Sequence, residues 1–440
     1  MHVDVRLKVC KVCKVCKKII VFTGFCDFLA NVFLNSALLK CHVVTVNGGR
    51  VFMNIVLLPS PPFEEIGGVS THVFMLAKGL GEVGHRVFVI REYPPRWFRW
   101  PFVRLPELLL EKVSLNFSRK YRLEVDDLYF AVAALWKTRG DLHVLNIQNV
   151  QHAGIVKWLR RLTGCKAVLT VHGYLTYEAE SRKWCVVGDK THQWLWAMET
   201  AGYDQFDAIV CVGSKAGSYV QQFTHKPITI IPNGLDTDLF RPASGDFYPK
   251  TKIHILFVGL LQPAKGIMDA IRAIQALVRD YKIDVVLRVA GKGLQEQEAK
   301  QYVAEHGLGD RVVFLGALNK EKMPDFYRSG DILLFPSKQA GLSGKSEESS
   351  PYAVLEAMSS GLPIVAYRTS ALQEHVQDGT TGYLVEPGDV NSLGMHLRDL
   401  CLNTDLREKM GKEARVYCMQ NYSQTKMAQR YVKVYTHSYD

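Results

Sequence analysis

Short apolar runs alternate with helix-length amphipathic stretches along nearly the whole chain from Met53 onward. In the first half the runs are Asn54 to Leu58, Arg86 to Ile90, His143 to Ile147, Ala167 to Val171 and Ala208 to Val212. In the second half they are Ile253 to Val258, Asp284 to Ala290, Val312 to Leu315, Ile332 to Phe335 and Pro363 to Ala366. The runs are rich in β-branched residues and mostly lack polar alternation, so each predicts a strand covered on both faces. Strands of that kind, separated by helices, build parallel sheets. The pattern therefore predicts an α/β protein with two doubly wound domains, at 53–240 and 252–422. Between them Arg241 to Lys252, with Pro242, Gly245 and Pro249, has no periodicity and predicts a linker. The carboxyl ends of the two sheets would face a central cleft, where such folds bind ligands.

The chain has 440 residues, 48% of them hydrophobic and 22% charged, which excludes a disordered or collagen-like protein. Its length suits two or three domains. There are 54 Lys and Arg against 43 Asp and Glu, a formal charge of +11, and ten cysteines. Both figures are distorted by residues 1–52. That stretch carries eight Lys and Arg against two Asp, and five of the cysteines, Cys10, Cys13, Cys16, Cys26 and Cys41.

Three readings of this segment compete. Val-Cys-Lys repeated in tandem over 9–17 gives C-x2-C-x2-C, but a metal site needs a fourth soft ligand and Cys26 is oddly placed for one. The apolar run Ile19 to Leu39 is long enough for a signal or anchor, yet Asp27, Asn31 and Asn35 interrupt it. One acid at mid-membrane costs roughly 3 kcal/mol, while each Leu, Ile, Phe or Val returns only about 0.5. The third reading, an N-terminal extension outside the fold, is the preferred expectation. The other cysteines, at 165, 185, 211, 401 and 418, are scattered, which suits a reduced compartment better than a disulfide framework.

Candidate chemistry gathers at strand ends. Gly67-Gly68 follows the first strand and precedes a helix, a place where backbone can approach a ligand and free N–H groups can meet an anion. A bare turn is the alternative, and neither this loop nor Gly291-Lys292-Gly293 completes a G-x-G-x-x-G dinucleotide fingerprint. In Glu347-Glu348-Ser349-Ser350-Pro351-Tyr352, Ser350 suits an N-cap and Pro351 a first helical residue. That predicts a helix running to Gly361, with the N–H groups of Tyr352 and Ala353 at its positive end. Glu348 before the cap and Glu356 within the helix would bracket a sugar nucleotide. Lys265, in the turn Gly259 to Gly266 after a strand, can neutralise a diphosphate. His172 closes the strand Ala167 to Val171, where it would face the cleft, against the alternative of a purely structural histidine.

These motifs together resemble the retaining family 4 glycosyltransferases of the GT-B fold, whose two domains are Rossmann-like. The resemblance covers about 53–435. It rests on Gly67-Gly68-Val69, Leu80 to Val87, Val171-His172-Gly173, Ile231 to Asp236, Lys265-Gly266, Glu348-x7-Glu356 and Asp378 to Val385, in that order. It implies metal-independent transfer of a sugar from a nucleotide donor, such as a UDP- or GDP-sugar, with retention and without a cofactor. By resemblance, Glu348 contacts the donor sugar and Glu356 the ribose. Lys265 with N–H groups near Ser349 and Ser350 holds the diphosphate, and His172 with Gly68 lies at the reacting centre. Gly316 and Leu318 are similar to the wall that meets the nucleobase, and a last helix, in 423–440, crosses back to the first domain. Two departures stand out: Leu260 where an arginine is usual, and Ser349-Ser350 in place of glycines. Such a mechanism needs no dedicated nucleophile when the leaving diphosphate directs attack on its own face. A sugar-nucleotide-binding protein without catalysis, favoured by Leu260, and a sugar-nucleotide epimerase are the alternatives.

Arg96-Trp97-Phe98-Arg99-Trp100 interleaves cations and aromatics on the acceptor side. The strip suits a lipid-linked acceptor or an anionic membrane surface, against the alternative of an ordinary loop with packed aromatics. The expected partners are a nucleotide sugar and a glycan or lipid-linked acceptor, with no nucleic acid. The expected location is cytoplasmic, with peripheral membrane contact.

Overall fold

The computed structural model describes residues 46–47, 50–59, 67–90, 99–111, 115–173, 175–181, 183–243, 252–338 and 350–437. The cysteine repeats, the run Ile19 to Leu39, most of the linker, and the predicted site residues Arg96, Trp97, Glu348 and Ser349 lie outside them. A short antiparallel pair, Val46–Asn47 with Arg50–Val51, precedes the first sheet.

That sheet contains β1 (Asn54–Leu58), β2 (Arg86–Val89), β3 (Val144–Ile147), β4 (Lys166–Val171), β5 (Ala208–Cys211) and β6 (Ile228–Ile230). All pairs are parallel and the order is β2-β1-β3-β4-β5-β6. The second sheet contains β7 (Ile253–Val258), β8 (Val285–Ala290), β9 (Val312–Gly316), β10 (Ile332–Phe335), β11 (Ile364–Tyr367) and β12 (Gly382–Val385). It too is wholly parallel, ordered β9-β8-β7-β10-β11-β12. The doubly wound α/β expectation holds for both halves. Every residue of β1, β3, β5, β10 and β11 is buried, as strands covered on both faces require.

The sequence pattern missed β6 and β12, the last strand of each sheet. Both are short edge strands with little apolar run to detect, and β12 opens on a glycine. A Cβ on Gly382 would come within 2.3 Å of the Ile364 carbonyl oxygen, so glycine permits the close pairing there.

The order of strands reverses between β1 and β3 in one sheet and between β7 and β10 in the other. Loops leaving these strands at their carboxyl ends form the ligand crevice of such a fold. Loops after β1, β4, β7, β9 and β10 carry, respectively, Gly67 and Gly68, His172, Lys265, Leu318 and Ser350.

The helix Thr404–Tyr422 packs on the second domain, and the helix Gln424–Thr436 packs on the first. The second of these buries Met427, Ala428, Tyr431, Val434 and Tyr435, an i, i+4, i+8 stripe laid on the apolar face of the first sheet. Where the chain crosses, Leu235 N–H donates to the Tyr422 carbonyl and Gln424 N–H to the Leu235 carbonyl, both at 2.9 Å. The outgoing and returning strands of chain are thus zipped together. A Cβ on Gly234 would meet Met427 Cβ at 2.8 Å, so the zipper requires a glycine. The five described cysteines are all buried free thiols. No helix among the described residues is long and apolar enough to cross a membrane.

Candidate active site in the interdomain cleft

On the first domain, the helix Gly68–Glu82 starts from Gly67. Among the described residues a Cβ on Gly67 or Gly68 would meet nothing within 4 Å, so their packing does not require glycine at either position. Bare backbone at a helix start leaves room for a ligand from outside. One turn into this helix, His72 is fully buried, and its ring meets that of His172 edge-on at 4.6 Å. Both imidazoles are held neutral. Burial pushes His72 down to about 4, against a partly offsetting bond to Asn233. Burial, then the neighbouring His72, pushes His172 well below the usual range.

A buried acid steadies the segment after His172. The Glu199 carboxylate accepts from Thr176 N–H at 3.2 Å and from the hydroxyls of Thr176, Tyr203 and Tyr219. Burial raises its affinity for protons even so.

On the second domain, backbone packs against backbone at the strand ends. A Cβ on Gly291 would lie 1.8 Å from the Gly259 carbonyl oxygen, and one on Gly266 2.1 Å from that of Pro336. Only glycine fits these contacts. Lys265 ends a one-turn 3-10 helix, Pro263–Lys265, ahead of the helix Ile267–Arg279. Leu260, in the same turn, is 59% exposed and offers the site no charge. Gly316 ends β9 at φ 71, and Leu318 packs on the cluster that holds Tyr327, Val354 and Leu355.

The helix after β10 spans Tyr352–Ser359, one residue later than expected. Pro351 is extended (φ −75, ψ 115) and serves as N-cap without a side-chain bond, whereas Ser350 does not cap. Its hydroxyl lies 2.9 Å from His375 Nε2, drawn away from the helix end. Because His375 Nδ1 faces the Ala371 carbonyl oxygen at 2.7 Å, Nδ1 carries the proton and Nε2 accepts from Ser350. Glu356 is half-buried and its Oε2 accepts from the Tyr327 hydroxyl at 2.9 Å. Desolvation pushes its carboxyl up to about 7, countered less strongly by Tyr327 and Lys320. The Tyr352 hydroxyl nearby is buried with no hydrogen-bond partner among the described residues.

The two sides meet at Asn233. Its side-chain Nδ2 donates to the Ser350 carbonyl at 2.7 Å, its N–H donates to Ser350 Oγ at 3.2 Å, and its Oδ1 accepts from His72 Nδ1 at 2.9 Å. An unbroken polar chain therefore runs from His375 and Ser350 to His72, beside His172.

Residues 66–239 match the family model described as Glycosyltransferase Family 4, and residues 245–417 match that of Glycosyl transferases group 1. The chain belongs to this glycosyltransferase family. It is similar to a phosphatidyl-myo-inositol mannosyltransferase of Mycobacterium leprae, at 26% identity over 87% of this chain and 96% of that one. It is equally similar to an MMP alpha-(1->4)-mannosyltransferase of Mycolicibacterium hassiacum, at 26% over 87% and 98%. Among solved structures, sucrose-phosphate synthase of Thermosynechococcus elongatus superposes with a TM-score of 0.63 at 19% identity, over 87% of this chain and 98% of that one. Anabaena HepE in complex with UDP and glucose does so with a TM-score of 0.62 at 17%, over 87% and 99%. Both likenesses are of fold, and both neighbours are GT-B proteins.

Of the residues expected to serve this glycosyltransferase, the structure brings His172 and Ser350 to one polar chain. It sets Tyr352, Glu356 and Leu318 along one helix and cluster of the second domain. Gly67, Gly68, Lys265 and Gly316 stand at strand ends of the two sheets. Sequence reasoning missed His72, Gln148, Glu199 and Tyr327. The signal for Gln148 is a polar side chain just beyond an apolar strand, whereas His72, Glu199 and Tyr327 are polar side chains on the inward faces of helices, where burial forces each to find a partner. Among the described residues, no group of three or more His, Cys, Asp or Glu could hold a metal ion.

The acceptor-side strip is helical where described. A π-helical turn, Trp100–Arg104, runs into the helix Leu105–Glu111, and Arg99 immediately precedes it. Trp100 is 59% exposed, and Leu105, Leu108 and Leu109 are exposed along the same helical segment. Trp100 is thus not a packed loop aromatic.

Proposed function

We propose that this glycosyltransferase moves a hexose from a nucleoside diphosphate donor, with retention at the anomeric carbon, onto a lipid-linked or glycan acceptor. The observation that carries the reading is the contact of Asn233 with Ser350 and His72, which joins the donor helix to the histidine pair. In this reading the sugar lies between the Tyr352 helix and His172. Glu356, beside Tyr327, takes the ribose hydroxyls, and ribose binding would favour its ionised form. Lys265 and the N-terminal N–H groups of the Tyr352 helix meet the diphosphate as charge develops on it. Glu348 is assigned the donor sugar by its resemblance to the first glutamate of the family motif Glu348-x7-Glu356. Departure of the diphosphate and attack by the acceptor hydroxyl occur on one face, so the protein contributes orientation and electrostatic stabilisation.

Support for a lipid-linked acceptor comes from two sources. Trp100, Leu105, Leu108 and Leu109 are exposed beside Arg99 and Arg104, a combination of apolar side chains and cations that suits an anionic membrane interface. The similar M. leprae protein is named for a phosphatidylinositol acceptor. The test is incubation of the full chain with a panel of UDP- and GDP-sugars, with and without anionic vesicles carrying lipid acceptors, followed by mass analysis. Sugar transferred to a lipid in the presence of vesicles supports the reading. Donor consumption with isomerised sugar and no acceptor product would point instead to an epimerase.

A further inference from the structure

Asn146 is fully buried in the otherwise apolar strand β3, and a buried amide must find partners at both ends. Its Oδ1 accepts from the Thr170 hydroxyl at 3.0 Å and from Gln148 Nε2 at 2.8 Å. Its Nδ2 donates to the Tyr435 hydroxyl oxygen at 2.7 Å. Tyr435 belongs to the helix Gln424–Thr436, laid over the sheet from the far end of the chain. Next to it Tyr431 brings its hydroxyl to 3.1 Å from Thr170 Oγ1.

The orientation of Asn146 passes to Gln148. With Nε2 engaged by Asn146, the end of Gln148 that lies 2.7 Å from His172 Nε2 is Oε1. An amide oxygen only accepts, so the ring nitrogen facing it must donate. His172 then carries its single proton on Nε2, and Nδ1 keeps a lone pair. A neutral ring of this tautomer accepts from a hydroxyl and repels the lone pairs of an ionised phosphate oxygen.

We infer that Gln148 is a positioning residue that locks His172 in the Nε2–H tautomer, so that Nδ1 orients a hydroxyl of the sugar or the acceptor. Tyr435 of the last helix holds Gln148 in place through Asn146. The inference rests on the reading of this cleft as the transfer site and adds the ligand group that His172 recognises. It also gives the crossing helix a role beyond covering apolar surface, because that helix supplies the partner of Asn146 Nδ2.

The test is nitrogen-15 NMR of the full chain with labelled histidine, the His172 signals being assigned by their loss in His172→Gln. This readout needs no substrate. Wild type is expected to show a protonated Nε2 and a bare Nδ1 at neutral pH. Gln148→Leu is expected to give a mixture of tautomers, and Tyr435→Phe a smaller change in the same direction with little loss of core packing. In transfer assays Gln148→Leu should lower kcat about tenfold, the effect of one lost hydrogen bond, with the donor KM unchanged. A proton on Nδ1 in wild type, or an unchanged tautomer in both variants, would overturn the inference. The predicted tautomer pattern in a protein that transfers sugar from no nucleotide donor would support the lock and contradict the transferase reading of the cleft.

Discussion

Asn233 holds Ser350 at two points, the backbone N–H on Ser350 Oγ at 3.2 Å and the side-chain amide on the Ser350 carbonyl at 2.7 Å. The two residues lie 117 positions apart, in different halves of the protein. Since Ser350 precedes the Tyr352 helix by one proline, the amino end of that helix is positioned by the first domain as well as the second. Removing the Asn233 side chain would leave a buried Ser350 carbonyl and the His72 Nδ1–H without these partners. Asn233→Ala is expected to cost about 2–6 kcal/mol of stability, at roughly 1–3 for each of the two unsatisfied buried groups. Urea unfolding measures this, and a loss below about 0.5 kcal/mol would show that the clamp is not made in solution.

Glu356 predicts a pH dependence. Its folded-state affinity, about 7, lies above the ordinary value of 4.5, so the folded protein binds more protons than the unfolded chain between those limits. Glu356 therefore costs stability progressively as pH rises from about 4.5 to 7. His72, lowered from 6.5 to about 4, acts with the opposite sign and costs stability as pH falls through that interval. Glu356→Gln removes only the first effect. Its melting temperature relative to wild type should rise as pH is raised through this window, while its affinity for the nucleotide falls. A melting difference independent of pH would refute the perturbed carboxyl.

Two glycines predict opposite outcomes. Gly291→Ala would drive a Cβ to 1.8 Å from the Gly259 carbonyl oxygen, forcing apart backbones at the ends of β7 and β8. It should destabilise the protein by more than about 3 kcal/mol. Gly68→Ala meets nothing within 4 Å among the described residues and should leave the melting temperature nearly unchanged while reducing turnover. Full activity in a folded Gly68→Ala protein would remove the case for ligand approach at that helix start.

Lys265 and Leu260 share one turn, and they predict changes in opposite directions. Lys265→Ala should lower kcat by about 10²–10³ if the lysine stabilises the departing diphosphate. Leu260→Arg adds a cation at an exposed position and should tighten donor binding, by roughly tenfold for one charge-assisted bond. Steady-state kinetics with the active donor reads both. Wild-type kcat in Lys265→Ala would refute its role.

The fold was largely legible because buried parallel strands announce themselves as apolar runs, and ten of the twelve strands described in the two parallel sheets did so. Ile228–Ile230 and Gly382–Val385 did not, since edge strands this short carry too few apolar residues. In the candidate site, residue type and place at a strand or helix end were enough to single out His172, Lys265 and Glu356 as candidates. It was opaque where meaning depends on contact. Ser350 looked like a helix cap and is instead shared by Asn233 and His375, a partnership set by the packing of two domains. Asn146, inside the run His143 to Ile147, and Gln148, just beyond it, belong to no motif of the sequence. Their role appears only once a tyrosine 289 residues further along lies on Asn146.

The most direct test of the central claim is the anomeric configuration of the product. Purified full-length protein would be given the nucleotide sugar it consumes and its acceptor, and the new glycosidic linkage read by proton NMR before any exchange. The account predicts a linkage with the same anomeric configuration as the donor. A linkage of inverted configuration would contradict same-face transfer, and a donor that is bound but never transferred would contradict the catalytic reading of the cleft.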